Sequence, residues 1–166
     1  MLQKLKKRLK DQRGFTLIEL LAVIVILGII AAIAVPSILG IIDHSKQDAH
    51  IANAQQITNS AKIYIADEKK DTSTEVSIPV QDLITNGYLE DIKDPSGNDY
   101  NFDDSKVSVL RTEIKKADGT SFDPKKYKNV YKIYLVSTGG TPVKYIGDTT
   151  AYEEVSKLER KDVTLK

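Results

Sequence analysis

Glu19 is the only charged side chain in residues 15–42, a run of 28 residues that is otherwise apolar or small save for the hydroxyls of Thr16 and Ser37. A carboxylate in such surroundings is costly unless it is hydrated or paired. It lies four residues into the run, about 6 Å along a helix, shallow enough to stay hydrated at a membrane surface, which explains how it is tolerated but not why it is there. Cutting the chain between Gly14 and Phe15 would free an amine on Phe15, and that amine and the Glu19 carboxylate would be natural partners. Other chemistry is sparse. His44 and His50 are the only histidines, and six positions apart on a helix they fall on different faces; they read as solvated polar residues rather than a metal pair. There is no cysteine and no Gly-Lys-Ser/Thr phosphate loop. Asp99, Asp103 and Asp104, and Asp118 and Asp123, do not match the spacing of a calcium loop and read as solvated turn acids. No enzyme and no cofactor are expected.

Two segments place Glu19 and the Gly14–Phe15 bond. Residues 1–14 hold Lys4, Lys6, Lys7, Arg8, Lys10 and Arg13 against one acid, Asp11. Residues 15–35 are 21 long, roughly 30 Å as a helix and enough to cross a bilayer core. Positive charge on the leading flank holds that flank in the cytoplasm and puts the bulk of the chain on the far side. Three readings fit this pattern. A secretory signal would be removed after its apolar part, but such parts span about 7–15 residues, and Ala32-Ile33-Ala34 is a weak cleavage match. A plain anchor leaves Glu19 without a purpose. Cleavage before the run, between Gly14 and Phe15, would remove the basic head and leave the apolar segment on the mature chain.

At these residues the sequence resembles a type IV prepilin. Gly14-Phe15-Thr16-Leu17-Ile18-Glu19 matches that family's prepilin-peptidase site. The resemblance implies a mature chain that begins at an N-methylated Phe15, with Glu19 fifth in that count at the family's near-invariant glutamate. Pro36 falls where a proline is common in these subunits, and Gly28 where a helix-weakening glycine is frequent. It also implies a homo-oligomeric helical filament, processing by a prepilin peptidase, and an assembly ATPase with inner-membrane platform proteins. Membrane lipid would surround the apolar helix before assembly, and nucleic acid would be reached only indirectly. The expected roles are thus cleavage at Gly14 and Phe15, register from Glu19, and helix kinking or melting at Gly28 and Pro36. The main expectation is a type IV pilus subunit, anchored in the cell membrane before assembly and extracellular after it. The alternatives are a pseudopilin of a secretion or competence machine and, from another class, a membrane-tethered binding protein that never polymerises.

Composition sets the remaining bounds. The head contributes +5, so the rest carries 18 bases and 22 acids, or −4. No basic stripe argues for nucleic acid. The absence of cysteine departs from the disulfide-stapled pilins and favours a Gram-positive-type member. Four segments follow: a removable leader (1–14), a transmembrane or filament-core helix (15–42), an amphipathic half-helix (43–70) and a globular head (71–166).

The expected fold is α+β, the type IV pilin arrangement, with a long N-terminal helix whose hydrophobic half protrudes and whose other half packs on a small antiparallel sheet. Ala49, Ala52, Ile57, Ala61, Tyr64 and Ile65 recur at helical steps, with Lys46, Asn53, Gln56, Asn59 and Lys62 on the opposite face, and the helix should end near residues 67–71. Pro36 should kink it. Residues 76–92 read as a short helix with Pro79 in its first turn and Asn86-Gly87 at its stop. Strands are expected at 106–111, 130–137 and 143–146. Tyr131, Ile133 and Leu135 form the apolar face that meets the helix. Thr138-Gly139-Gly140-Thr141-Pro142 breaks the last two strands, and Asp118-Gly119 turns a longer connection before them. Thr150-Ala151-Tyr152-Glu153 fits a capping box opening a short helix to about Arg160, and residues 162–166 a last strand or tail.

Overall fold

A computed structural model describes residues 17–138, 142–147 and 151–165. Helix α1, Leu17–Asp67, carries Pro36 in its interior and Glu19 in its first turn. The chain divides into two compact units between Ile42 and Asp43. The second unit holds the sheet, with β1 (Val76–Pro79), β2 (Lys106–Lys115), β3 (Ser121–Val136) and β4 (Lys144–Ile146) in that order and β5 (Glu153–Glu154) also on β3. Every named pairing is antiparallel. A short helix, α2 (Val80–Thr85), follows β1, and two 3-10 turns, Val155–Lys157 and Arg160–Asp162, follow β5. The architecture is the α+β one expected, an apolar N-terminal helix continuing into a half that packs on a small antiparallel sheet.

Alternation along β3 decides which face meets α1. Ile133 and Leu135 are completely buried with Ala54, Ile57 and Ala61 of α1 in one apolar cluster, while Tyr131 is half-buried at its margin. Each fully buried leucine or isoleucine among them contributes about 1.5–3 kcal/mol. The buried stripe of α1 reads His50, Ala54, Ile57, Ala61, Ile65, at steps of four, three, four and four. Ala52, expected in the stripe, is exposed. The helix ends at Asp67, inside the expected limit.

Three expectations need correction. Residues 76–79 are a strand: Val76 pairs with Val109 and Ile78 with Val107, so β-branched side chains add to the sheet before the chain turns helical. Pro79 precedes α2 at its N-cap rather than sitting inside it, and Asn86 with Gly87 ends it as expected, Gly87 adopting φ 76°. The second and third elements of the head are not short strands joined by a long connection. β2 and β3 form one hairpin whose tip is the Asp118-Gly119 turn, where the Asp118 carboxylate accepts from the Thr120 N–H at 2.9 Å and Gly119 has φ 82°. Finally, Glu153 and Glu154 form β5, paired with Ile133 and Lys132, in place of the expected capped helix. Thr150 lies outside the described residues, as do Gly139, Gly140 and Thr141 of the expected break. Val163 makes a bridge to Ile146, so the tail does return to the sheet.

Candidate functional site

The residues singled out for chemistry lie in the first unit, and two of them, Gly14 and Phe15, are outside the described residues. Glu19, Gly28 and Pro36 all lie in α1, which is unbroken through both helix-weakening positions. What marks this segment is the condition of its surface. Leu17, Ile18, Leu20, Leu21, Ile24 and Ile33 are all more than half exposed, and none of its most apolar 18-residue window is buried. This is a helix long and apolar enough, by length and composition, to cross a membrane. A Cβ added at Gly28 or Gly40 would meet no heavy atom within 4 Å. Neither glycine is required by packing inside the chain.

The second unit holds a buried polar cluster around His50, a residue expected in solvent. His44 is exposed, as expected, and bonds Gln47 at 3.3 Å. His50 is instead 0% exposed. Its ring lies on that of Tyr145, with centroids 4.1 Å apart and planes 29° apart. Nδ1 is 2.6 Å from the Tyr100 hydroxyl, Nε2 is 2.9 Å from Ser96 Oγ, and the Asp94 carboxylate is 3.7 Å from Nε2. Asn53 donates to the Tyr100 hydroxyl at 3.1 Å, which leaves the phenolic proton for His50 Nδ1 and assigns the ring proton to Nε2, facing Ser96 and Asp94. Asp94 also accepts from the Tyr145 hydroxyl at 2.6 Å and from the Ser96 N–H at 2.7 Å. Burial pulls the His50 pKa below its ordinary value, opposed by Asp94 and assisted by Lys46. Burial pushes the Tyr100 and Tyr145 phenols up. Every ring atom that can bond does so, and the cluster fixes the turn at residues 94–100 against α1. The signal for it was present in the chain: His50 continues the spacing of Ala54, Ile57 and Ala61.

Among the described residues no group of three or more metal-ligating side chains comes together. Asp99, Asp103, Asp104 and Asp118 are exposed in turns or beside them, in accord with solvated turn acids, whereas Asp123 is exposed but lies in β3.

The prokaryotic N-terminal methylation motif matches residues 9–35. Type II secretion system core protein G of Vibrio cholerae is 31% identical over 109 residues, covering 58% of this chain and 73% of the relative. The protein of that name from Klebsiella michiganensis is 32% identical over 107 residues, covering 56% and 74%, and that from Escherichia coli 32% over 101, covering 54% and 70%. The chain belongs to the type IV pilin family. Its relatives there are pseudopilins, and members of the family are structural subunits. The expectation of a type IV pilus subunit therefore stands only at the level of the family, and the relatives favour the pseudopilin alternative. No solved structure matches.

Proposed function

We propose that this chain is a pseudopilin-type subunit, cleaved by a prepilin peptidase between Gly14 and Phe15, methylated on Phe15, and polymerised through α1 into a short filament of a secretion or competence machine. The observation that carries the reading is the apolar half of α1, an exposed surface of leucine, isoleucine and valine among the described residues, joined to relatives that are core proteins of type II secretion. Such a surface is stable in lipid or among copies of itself, and moving between them gains little hydrophobic energy because lipid is already apolar. Packing and polar pairing must steer the transfer. In this reading the Phe15 amine of an incoming subunit seeks the Glu19 carboxylate of a subunit already assembled. An unpaired charge there costs several kcal/mol, so wrong registers are disfavoured. Gly28 and Pro36 loosen α1 where it must adjust to its neighbours.

The test combines two measurements on cells expressing the chain. Mass spectrometry of the assembled or shed protein should find a start at N-methyl-Phe15, and electron microscopy should find short fibres, with processing normal but fibres scarce in Glu19→Ala. A start at Met1 sinks the processing step. Long surface fibres would return the chain to the pilus reading, and normal fibre yield from Glu19→Ala would remove the register role.

A further inference from the structure

β3 is far longer than its cover on one side. Through Ser121–Val136 it pairs with β2 along most of its length, whereas β5 pairs only with Lys132 and Ile133 and β4 only with Leu135 and Val136. Among the described residues, the edge at residues 128–131 has no strand beside it. An edge of this kind presents backbone N–H and C=O groups ready to pair with another chain. Here it opens on a groove of about 480 Å³, within the range of ligand pockets. The far wall is one face of α1, Gln55, Thr58, Asn59 and Lys62, spaced i, i+3, i+4 and i+7, and residues 154–156 close one end.

Two observations say what the groove would hold. Thr58 is 2% exposed, lines the groove, and its Oγ1 has no hydrogen-bond partner among the described residues. A buried hydroxyl left so costs free energy that a ligand's backbone amide could recover. Charge gives the second. Lys62 and Lys128 both line the groove, and neither is in a salt bridge among the described residues. Lys62 is held over the groove, its ammonium 3.0 Å from Asn59 Oδ1 and 5.3 Å from the centre of the Tyr131 ring. Glu154, the acid of the lining, is engaged chiefly by Lys157 and Ser156, each at 2.6 Å, and is attracted to Lys128 only at longer range, without a salt bridge.

We propose that this groove receives an extended, acidic peptide segment of a partner protein, which adds as a strand to the free edge of β3. Its backbone pairs with residues 128–131 and meets the Thr58 hydroxyl, and its carboxylates reach Lys62 and Lys128. Main-chain pairing supplies affinity, and side chains at alternate positions supply selectivity. The proposal concerns the second unit alone and holds or fails independently of how α1 assembles.

The test uses the full chain in non-ionic detergent and a blocked, fluorescein-labelled heptapeptide of alternating valine and glutamate, with binding read by fluorescence anisotropy. Two control peptides replace glutamate by lysine or carry N-methyl groups on alternate amides. The acidic peptide should bind, more weakly at high salt, and each control should bind at least tenfold more weakly. Lys62→Glu combined with Lys128→Glu should abolish the preference for acid, and both sites are exposed, so the fold should survive; Lys62→Gln with Lys128→Gln serves as the milder check. Thr58→Val should cost roughly two- to tenfold. Equal binding of acidic and basic peptides, indifference to N-methylation, or no binding at millimolar peptide overturns the proposal. Self-association of the chain that is lost in the charge-reversed variant, without peptide binding, would assign the edge to a second copy instead and overturn it equally.

Discussion

The two units of this chain treat apolar side chains in opposite ways. In the second, Ile133, Leu135, Tyr145 and Ile146 are sealed against α1 and the sheet, and a histidine is buried with every polar atom bonded. In the first, the leucines and isoleucines are as apolar and as closely spaced, yet most are more than half exposed. Most large apolar side chains are therefore buried within the second unit, Ile63, Leu110 and Tyr127 excepted, while those of the first are left for an external partner. Apolarity alone does not make a core; what differs is whether the same chain supplies a second layer.

The largest effects should come from substituting matched side chains in the two units. Leu135→Ala should destabilise the head by about 2–5 kcal/mol, because the cavity cannot collapse within a cluster closed on all sides. Ile30→Ala removes a similar volume from an exposed position and should leave urea unfolding of the head unchanged while reducing fibre yield. Equal destabilisation by the two would erase the distinction between the units.

Glycines sharpen it. Gly147 has φ 69°, and a Cβ there would stand 2.9 Å from the Ile133 carbonyl oxygen and 3.1 Å from that of Ala151. The left-handed backbone costs an L-residue about 1–2 kcal/mol before any clash is counted, so Gly147→Ala should destabilise by more than about 2 kcal/mol, measured by denaturant midpoint. Gly28 has nothing within 4 Å, and alanine is the better helix former by about 0.8–1 kcal/mol. Gly28→Ala should leave the monomer as stable or more so, and any defect should appear only in assembly.

A smaller effect distinguishes the polar part of the head. His50 is neutral when folded, and burial sets its pKa below the ordinary 6.5 despite the nearby Asp94. The unfolded chain thus takes up a proton first. As pH falls through about 6.5, stability should decline, and the decline should stop once pH passes below the folded pKa, where both states carry the proton. His50→Gln should flatten this slope in denaturation curves between pH 5 and 8, and should itself cost about 1–3 kcal/mol at pH 8 by leaving Tyr100 and Ser96 short of a partner. An unchanged slope would place the titration elsewhere.

The same contrast explains what could be read in advance. The run from 15 to 42 announces itself by composition, and the cleavage motif by spacing, because both are local. Ile133 and Leu135 were legible from alternation. The outer half of β3 was not: Lys125, Lys126, Lys128 and Asn129 carry no apolar alternation, and their strand is held by pairing to β2 across a turn. Residues 76–79 were misread because Pro79 is as good a strand end as a helix start. The bonding of His50 is not legible locally, because its partners, Ser96, Tyr100 and Tyr145, lie 46, 50 and 95 positions away. Local patterns reveal what a segment needs; distant partners decide whether it is met.

The smallest effect expected is at the rim of the head, where Arg160 spans to Asp48 of α1. Its Nε and Nη2 each lie 2.7 Å from one carboxylate oxygen, a two-pronged contact that holds the Asp48 carboxyl below its usual range and the guanidinium above its own. Both side chains are about half exposed, so water and salt screen the pair and ordering two long side chains offsets much of the attraction. Arg160→Lys keeps the charge but cannot make the planar fork. It should shift the urea midpoint far less than His50→Gln, and the shift should vanish at high salt. A large, salt-insensitive loss would mean that Arg160 holds the C-terminal turn to α1 through packing of its aliphatic stem, and that the closed core of the head extends to its rim.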